Sequence, residues 1–366
     1  MRMKNNLPEF RAAGLSAPEL LTIDITDRCN LHCPHCWVDA TMKPEHEDVR
    51  LEKLGHIVRE FANLGGRGVR LSGGEPLLHP DINESLRLIA ATGLDAHLQT
   101  NGTVLNASHI DTFKRVEDLT SLTLQVSLDG ATASTHDQIR GAGSFAETMH
   151  NIKRLINAGL GKSLRLFFTE MRHNIEELPA LLSLADQLDI TSVATGTVVL
   201  CGRAKIQPKV MPATAQQYSQ LIHHYVHDKP FRTRYNRIGS TAVLEWYKNG
   251  LSPTPCDFVK NPYLSSTGVL YPCLMCHIEA YSVAEVFQKG LRRALHEGTP
   301  KWLQLRAIRS NKASLAKTCQ TCAIFEQCAG GCLGRAWGRS RTLGAAEDRC
   351  EQRKIVVKWR KNTPDS

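Results

Sequence analysis

Short apolar segments alternate with amphipathic segments in the part of the chain that precedes His227. Six segments rich in β-branched and apolar residues predict strands, at 21–26, 69–72, 96–100, 122–127, 163–169 and 192–199. Six segments with apolar residues at helical spacing predict helices, at 51–64, 81–92, 106–115, 144–158, 175–187 and 213–226. Consecutive βα units with right-handed crossovers build a parallel sheet. We therefore predict an α/β fold in which six units form an open, partial (β/α)6 TIM barrel.

The pattern changes after about His227. Pro, Gly and Cys become frequent, and eight of the twelve cysteines lie between Cys256 and Cys350. Cysteine-rich segments with weak periodicity are typical of small domains that fold around metal. The predicted organisation is an N-terminal extension at 1–16, the partial barrel at 17–230, a bridging region at 231–254, a small loop-rich cysteine domain at 255–355 and a basic tail at 356–366.

Composition narrows the class of protein. Of the 366 residues, 42% are hydrophobic and 22% are charged, which is ordinary for a globular protein. No apolar run is long enough to span a bilayer, so no transmembrane helix is expected, and the segment 1–10 lacks the apolar core of a secretory signal. We expect a cytoplasmic protein, and reducing conditions there disfavour disulfides. Twelve cysteines in such a chain indicate metal binding.

The formal net charge of +9 is concentrated in one part of the sequence. The segment 298–366 contains 14 Lys and Arg but five Asp and Glu, whereas the rest of the chain is balanced. A basic surface can attract nucleic acid or an acidic peptide, but a solvated C-terminal helix at 349–361 explains the pattern more simply. Nucleic acid binding is not expected, because only Trp337 and Trp359 interleave with the basic residues.

Three cysteines follow the first predicted strand. Cys29, Cys33 and Cys36 form a C-x3-C-x2-C motif. Three thiolates on one loop can hold a cubane [4Fe–4S] cluster and leave its fourth iron open to a substrate or cosubstrate. The spacing alone also permits zinc, with His32 or His35 as the fourth ligand.

Further short motifs follow the later strands, whose carboxyl ends carry the chemistry in barrels of this type. They are Gly73-Gly74-Glu75-Pro76 after the second strand, Thr100-Asn101-Gly102 after the third, Ser127-Leu128-Asp129-Gly130 after the fourth, then 137–141 with Arg140, and 196–199 at the end of the sixth. Glycines let a backbone approach a ligand closely. A carboxylate such as Glu75 can pair with an ammonium group.

Taken together and in this order, the motifs resemble those of the radical S-adenosylmethionine (SAM) enzymes. The resemblance implies that a [4Fe–4S] cluster bound by three cysteines lies beside bound SAM. By position, the SAM-binding residues would be Gly73, Gly74, Glu75, Pro76, Asn101, Ser127, Asp129 and Arg140. It also implies reductive cleavage of SAM to a 5′-deoxyadenosyl radical that abstracts hydrogen from a substrate. Such a reaction needs a reducing electron donor, for example flavodoxin or ferredoxin.

The C-terminal half contains a second ordered set of cysteines. It reads Cys256-x11-Gly-x4-Cys273, then Cys319-x2-Cys322-x5-Cys328-x3-Cys332, then Cys350. A disulfide framework or tandem zinc sites are the alternatives on spacing alone. The order resembles the seven-cysteine SPASM extension of radical SAM enzymes, which implies two auxiliary [4Fe–4S] clusters.

The same resemblance assigns the cysteines to the two clusters by position. Cys256, Cys273 and Cys332 would hold the first, and Cys319, Cys322, Cys328 and Cys350 would hold the second. An eighth cysteine, present in some members, would fall at Pro262. Either Cys276 supplies the missing ligand, or one iron of the first auxiliary cluster is open to substrate.

Cys201 follows the sixth predicted strand, where it would face the mouth of the barrel. A thiol at that place can give a hydrogen atom to a carbon radical, so Cys201 is the candidate catalytic residue. The alternative interpretation is a small buried apolar side chain.

The resemblance implies a peptide substrate, because members with this extension mostly modify ribosomally made peptides by cross-linking, epimerisation, oxidation or decarboxylation. The segment before Cys29 is too short for a peptide-recognition domain, so we expect leader binding to need a separate protein or the barrel surface. The alternatives are a small-molecule or haem-pathway radical SAM enzyme and, in another class, an iron–sulfur electron carrier. A carrier would leave Glu75 and Arg140 without a role. Anaerobic sulfatase maturation is disfavoured, because Leu274 stands where those enzymes have aspartate.

Overall fold

The strands observed in the computed structural model follow the predicted pattern closely. The structure describes residues 7–207, 209–252 and 257–362, so Cys256 lies outside the described residues. The strands are β1 Leu20–Thr26, β2 Gly68–Gly73, β3 Asp95–Thr100, β4 Leu122–Ser127, β5 Leu164–Glu170, β6 Val193–Thr197, β7 Gly239–Ser240, β8 Tyr263–Leu264 and β9 Leu270–Tyr271. All six predicted strands are confirmed.

Helices separate these strands and dominate the C-terminal part. They are α1 Pro8–Ala12, α2 Leu51–Asn63, α3 Ile82–Ala91, α4 Ala107–Glu117, α5 Ala133–Arg140, α6 Ser144–Asn157, α7 Leu178–Gln187, α8 Ala215–His227, α9 Lys229–Ile238, α10 Ala242–Asn249, α11 Val286–Lys289, α12 Leu291–Ser310, α13 Lys312–Leu315, α14 Lys317–Gln320, α15 Phe325–Cys328, α16 Leu333–Ser340 and α17 Cys350–Asn362. The six helices predicted before His227 and the C-terminal helix are confirmed. No helix in the described ranges is long and apolar enough to cross a membrane.

The chain divides into two compact units that are not continuous in sequence. The first unit comprises Met1–Leu31, Val38–Gln125 and Pro255–Arg309. The second comprises His32–Trp37, Val126–Thr254 and Ser310–Ser366. The domain boundaries expected from the sequence stay predictions.

The first unit is built on a mostly parallel sheet with the strand order β4-β3-β2-β1-β8-β9. β1 pairs in parallel with β2, and the register places Thr26 opposite Gly73 at the carboxyl ends of both strands. β8 also runs parallel to β1, whereas β8 and β9 form an antiparallel pair. Helix α2 buries Leu54, Ile57, Val58 and Phe61, which recur at the spacing of one helical face.

In the second unit, the strand order is β7-β6-β5 beside the end of β4. β5 and β6 are parallel, with Leu166 opposite Val193, and β7 is parallel to β6. Side chains alternate between buried and half-buried along β5, so one face of this strand contributes to the core. Helix α17 lies against α8, and the indole N–H of Trp359 donates to the Ser219 hydroxyl at 2.8 Å.

The C-terminal part contains more helix than the sequence predicts. The sequence does not predict the 20-residue helix α12, because this helix contains Pro300 and Gly298, both poor helix formers. Its indole at Trp302 is fully buried and donates to the Tyr281 carbonyl at 2.9 Å. Tertiary packing therefore stabilises a helix that local propensity does not favour.

Candidate functional site

Gly73 and Gly74 let two backbone segments of the first unit pass very close to each other. A Cβ at Gly73 would lie 2.2 Å from the Thr26 carbonyl oxygen, and a Cβ at Gly74 would lie 2.2 Å from that of Arg28. The Gly74 N–H donates to the Thr26 carbonyl at 2.8 Å, and the Glu75 N–H donates to the Arg28 carbonyl at 2.7 Å. Gly73 also has φ +122°, which favours glycine. The glycine pair thus fixes the backbone that leads directly into Cys29.

Glu75 joins the carboxyl ends of β2 and β3. Its carboxylate is fully buried and accepts hydrogen bonds from the Thr100 hydroxyl at 2.8 Å and the Asn101 N–H at 2.7 Å. It also accepts from the Leu77 N–H at 3.0 Å, where it caps a short 3-10 turn that begins at Pro76. These charge-assisted bonds satisfy a buried carboxylate that would otherwise be unfavourable.

Asn101 lies next to the first cysteine of the motif. Its amide Nδ2 is 3.9 Å from the Sγ of Cys29 and 2.9 Å from the Oδ1 of Asn30. The side chain of Asn101 also accepts from the Thr103 N–H at 2.8 Å. The motifs after β1, β2 and β3 therefore form one hydrogen-bonded assembly in the first unit.

A buried carboxylate that the sequence does not reveal lies on β1. The Oδ2 of Asp24 accepts the Tyr263 hydroxyl at 2.5 Å, while Oδ1 is buried and has no hydrogen-bond partner among the described residues. Burial raises the pKa of Asp24 to about 7; the Tyr263 hydrogen bond opposes this and nearby Asp27 adds to it. Ser266 donates to Asp27 at 2.7 Å, so β8 and its turn hold two carboxylates of β1 and its loop.

In the second unit, Asp129 and Arg140 form a buried ion pair. The Nε of Arg140 donates to the Oδ2 of Asp129 at 2.7 Å, and the Thr169 N–H donates to Oδ1 at 2.7 Å. Burial opposes ionisation of Asp129, but Arg140, His35 and the Thr169 N–H together hold its pKa below the usual value. The sequence motifs after β4 thus converge on one carboxylate, and Ser127 ends the strand that leads to it.

His35 lies between two cysteines of the motif, and it also faces Asp129. Its Nε2 is 3.4 Å from the Oδ2 of Asp129. Burial lowers the pKa of His35 to about 4, and this effect outweighs the attraction of Asp129. The imidazole is therefore neutral at pH 7.

Cys33 and Cys36 lie on a short turn that Arg203 binds. The Cys36 N–H donates to the Cys33 carbonyl at 3.1 Å. The guanidinium of Arg203 donates to the Cys33 carbonyl at 2.9 Å, and the Arg203 backbone N–H donates to the Cys36 carbonyl at 2.9 Å. Burial raises the pKa of Cys33, and the positive charges of Arg140 and Arg203 oppose that rise.

Cys201 lies near this turn in the second unit. Burial raises the pKa of its thiol to about 11, and the proximity of Cys36 adds to the rise while Arg335 opposes it. The thiol is half-buried and keeps its proton at pH 7. Its S–H bond is thus intact, as a hydrogen-atom donor requires, but the buried apolar interpretation is equally consistent with its burial.

Four cysteines of the C-terminal set line one cavity of about 670 Å³ in the second unit: Cys319, Cys322, Cys328 and Cys350. All four are free thiols, and apolar side chains such as Ile324 and Phe325 form other parts of the wall. Burial raises the pKa of Cys350 to about 11, and Cys328 and Cys319 are close enough to raise it further. The cavity and its sulfur donors fit a cubane cluster, whose charge would favour the thiolates.

The remaining C-terminal cysteines are divided between the two units. In the second unit, the Cys332 N–H donates to the Oε2 of the buried Glu347 at 2.8 Å. In the first unit, Cys273 and Cys276 share a tight turn closed by a hydrogen bond of 3.1 Å, and Cys276 is 2% exposed. Among the described residues, no three His, Cys, Asp or Glu side chains converge as ligands of a single metal ion.

Comparison with known proteins identifies the family. Residues 23–185 match the model of the radical SAM superfamily, and this range includes the three-cysteine loop and the motifs after the first four strands. Residues 23–185 are therefore a radical SAM domain. A [4Fe–4S] cluster and SAM are therefore its cofactors, as the sequence predicts. The family recognised in the sequence, the enzyme class and the general radical SAM function are confirmed.

Curated relatives resemble almost the whole chain. The mycofactocin maturase MftC of Mycobacterium ulcerans (strain Agy99) is 26% identical over 352 residues, which cover 93% of this chain and 89% of the relative. The AdoMet-dependent heme synthase of Methanosarcina barkeri (strain Fusaro / DSM 804) is 27% identical over 362 residues, which cover 92% and 97%. Proteins with different reactions thus share this length and arrangement.

Solved structures confirm the fold. The structure of native anSMEcpe with bound AdoMet matches with a TM-score of 0.72 at 17% identity and covers 94% of this chain and 98% of that structure. Streptococcus suis SuiB bound to its precursor peptide SuiA matches with a TM-score of 0.69 at 16% identity and covers 93% and 78%. The predicted α/β fold with a partial TIM barrel is therefore confirmed.

Proposed function

We propose that this radical SAM enzyme modifies a ribosomally made peptide. The support for a peptide substrate comes from the names of its relatives: one is a mycofactocin maturase, and SuiB was solved with a precursor peptide. The matches to heme synthases at similar identity make a haem-pathway or other small-molecule substrate the alternative. The bond changed in the peptide is one of the classes that the sequence predicts: a cross-link, an epimerisation, an oxidation or a decarboxylation.

The residues proposed to hold the catalytic cluster are Cys29, Cys33 and Cys36. The observation that carries this assignment is the close packing of Gly73 and Gly74 on the backbone that leads into Cys29. The cluster, when bound with SAM, supplies the electron and the radical chemistry. Two sets of hydrogen bonds fix the loop: Gly74 and Glu75 bind the backbone before Cys29, and Arg203 binds the carbonyls of Cys33 and Cys36.

We assign SAM binding to the residues that follow the strands: Gly73, Gly74, Glu75, Pro76, Asn101, Ser127, Asp129 and Arg140. Within this set the carboxylate of Glu75 orients Thr100 and Asn101. Asp129 holds the Nε of Arg140 and so fixes the direction of the guanidinium. Both carboxylates therefore orient neighbouring groups as well as being candidates for contact with SAM.

Two auxiliary [4Fe–4S] clusters are part of the proposal. Cys319, Cys322, Cys328 and Cys350 would hold one, which the shared cavity supports. Cys273, Cys332 and Cys256 would hold the other, with Cys276 as its fourth ligand. The tight turn that joins Cys273 to Cys276 supports that last assignment, because two ligands of one cluster must lie near each other.

The remaining proposals concern Cys201 and the partners. Cys201 is proposed as a hydrogen-atom donor to a substrate radical. Leader-peptide binding by a separate protein, a flavodoxin or ferredoxin as electron donor and a cytoplasmic location are further parts of the same account.

A substrate test separates the two main alternatives. The reconstituted enzyme is incubated anaerobically with SAM and reductant, together either with short peptides encoded beside its gene or with haem precursors. A mass change in a peptide that depends on SAM supports a peptide maturase. Turnover of a haem precursor, with every peptide left unchanged, contradicts it.

A further inference from the structure

The segment at 197–203 connects the end of β6 with the turn that holds Cys33 and Cys36. It leaves the sheet after Thr197 and enters a short 3-10 turn, Gly202–Ile206. All of its contacts described below lie within the second unit. Two buried arginines hold the segment, one at each end.

Arg203 holds the end of the segment that is nearer to the cysteines. It is 5% exposed, and it donates from its side chain to the Cys33 carbonyl and from its backbone to the Cys36 carbonyl, both at 2.9 Å. Gly202 makes this approach possible, because its φ is +53° and a Cβ there would lie 2.4 Å from the Trp37 carbonyl oxygen. The backbone of the segment therefore lies directly on the backbone of the cysteine turn.

Arg335 holds the other end from the C-terminal region. Its guanidinium donates to the Thr197 carbonyl at 3.1 Å and to the Val198 carbonyl at 2.9 Å. Two further bonds of 2.6 Å join it to the carboxylate of Asp348. Arg335 lies on α16, shortly after Cys332, and Asp348 shortly precedes Cys350.

The middle of the segment is anchored by apolar packing. Leu200, in the middle of the segment, packs against a buried cluster that consists of Val198, Ala204, Ile139, Met171 and Val210. A segment that is bonded at both ends and packed in the middle transmits a displacement instead of absorbing it.

We propose that Arg335 and Arg203 form a two-arginine clamp. Through this clamp, the segment between Cys332 and Cys350 positions the Cys33–Cys36 turn. The proposal rests on the proposed function in that this turn is taken to hold the catalytic cluster. Both arginines are positioning residues, because their described bonds go to backbone carbonyls and to Asp348. Removing Arg335 leaves the carbonyls of Thr197 and Val198 and the carboxylate of Asp348 without these donors, which loosens the segment and then the turn.

Hydrogen exchange measured by mass spectrometry tests the clamp. We compare the reconstituted wild type with Arg335→Gln, Arg203→Gln and the control Arg237→Gln, whose arginine is exposed and pairs with Asp186 on the surface. In the peptide that contains Cys33, Cys36 and Trp37, we expect both clamp variants to exchange about tenfold faster than wild type, as expected for the loss of buried hydrogen bonds. The control is expected to match wild type.

The decisive result is the behaviour of Arg335→Gln. Faster exchange at 197–203 with unchanged exchange at 33–37 would overturn the proposal, because Arg335 would then act only on its own contacts. Arg203→Lys retains the positive charge and a single donor nitrogen, so it is expected to recover part of the protection that Arg203→Gln loses. No recovery, with exchange faster throughout the second unit, would mean that Arg203 serves general folding and would also overturn the proposal.

Iron content is measured in the same samples, so that the test of the proposed cluster is separate from the test of the clamp. A wild type that binds no iron contradicts the proposed cluster, and the exchange comparison on that iron-free chain still tests the clamp. With iron bound, the electron paramagnetic resonance spectrum of the reduced enzyme provides a second readout. The shift that SAM causes in this spectrum is expected to weaken in Arg335→Gln and to stay at the wild-type size in Arg237→Gln.

Discussion

The Nε of Arg140 donates to the Oδ2 of Asp129 across 2.7 Å, and neither side chain is more than 9% exposed. Asp129 also accepts the Thr169 N–H, so one carboxylate connects α5 with β5. The pair makes the motif after β4 a structural unit as well as a candidate binding site.

Asp129→Asn is expected to destabilise the protein strongly. It removes the carboxylate charge that pairs with the buried Arg140, and breaking a buried ion pair in this way costs about 3–5 kcal/mol. The midpoint of urea unfolding measures the effect. Asp186→Asn is the control: its carboxylate pairs with Arg234 and Arg237 at the surface, where solvent screens the charges, so its loss should shift the midpoint far less. Equal shifts in the two variants would contradict the structural role of the buried pair.

The stability of the protein should depend on pH through Asp24. Its pKa is about 7 in the folded chain, well above the ordinary value of 3.8, because burial disfavours the charged form. Because the folded chain favours the protonated carboxyl, Asp24 makes its full contribution to the free energy of unfolding below pH 3.8. This contribution is lost as the pH rises towards 7. Relative to Asp24→Asn, which cannot ionise, the wild type should therefore lose stability between about pH 4 and pH 7. Parallel stability curves for the two proteins would contradict the protonated carboxyl.

Gly74→Ala is expected to abolish SAM cleavage. The added Cβ would lie 2.2 Å from the Arg28 carbonyl and would push the loop away from its position before Cys29. Gly161→Ala is the matched control, because no atom lies within 4 Å of its added Cβ. The assay is formation of 5′-deoxyadenosine, with circular dichroism to verify folding. Full activity of a folded Gly74→Ala enzyme would show that the close approach is dispensable.

Cys322→Ser should remove one auxiliary cluster and about four irons per chain, because Cys322 lines the cavity with three other cysteines. Cys201→Ser changes another half-buried cysteine of the same unit and is expected to leave the iron content unchanged. Iron and sulfide analysis of the anaerobically reconstituted variants makes the comparison. An unchanged iron content in Cys322→Ser would contradict its assignment.

Cys201→Ala distinguishes the cleavage of SAM from the later modification of the substrate. If Cys201 donates the hydrogen atom, cleavage of SAM continues and formation of the modified product stops. The two products are quantified in one reaction by mass spectrometry. An unchanged yield of modified product would contradict the donor role and favour the interpretation of Cys201 as a small buried apolar residue.

Local motifs are predictable from the sequence because their signal is contiguous. Gly73, Gly74 and Glu75 are adjacent in the chain, and their placement at the end of a strand follows from the strand pattern. The pairs that join distant segments carry no such signal: Asp24 and Tyr263 are 239 residues apart, and Arg335 and Thr197 are 138 apart. Helix α12 is not predicted for another reason. Pro300 and Gly298 are poor helix formers, but burial of Trp302 stabilises the helix.

The most direct test of the central claim is an anaerobic reconstitution followed by two measurements on one sample. Iron and sulfide are counted per chain, and 5′-deoxyadenosine is quantified after reduction in the presence of SAM. We expect about twelve irons, as three four-iron clusters require, together with cleavage of SAM. Cleavage with about four irons would contradict the auxiliary clusters. Full iron loading without cleavage, even with candidate peptides added, would contradict the proposed catalytic site.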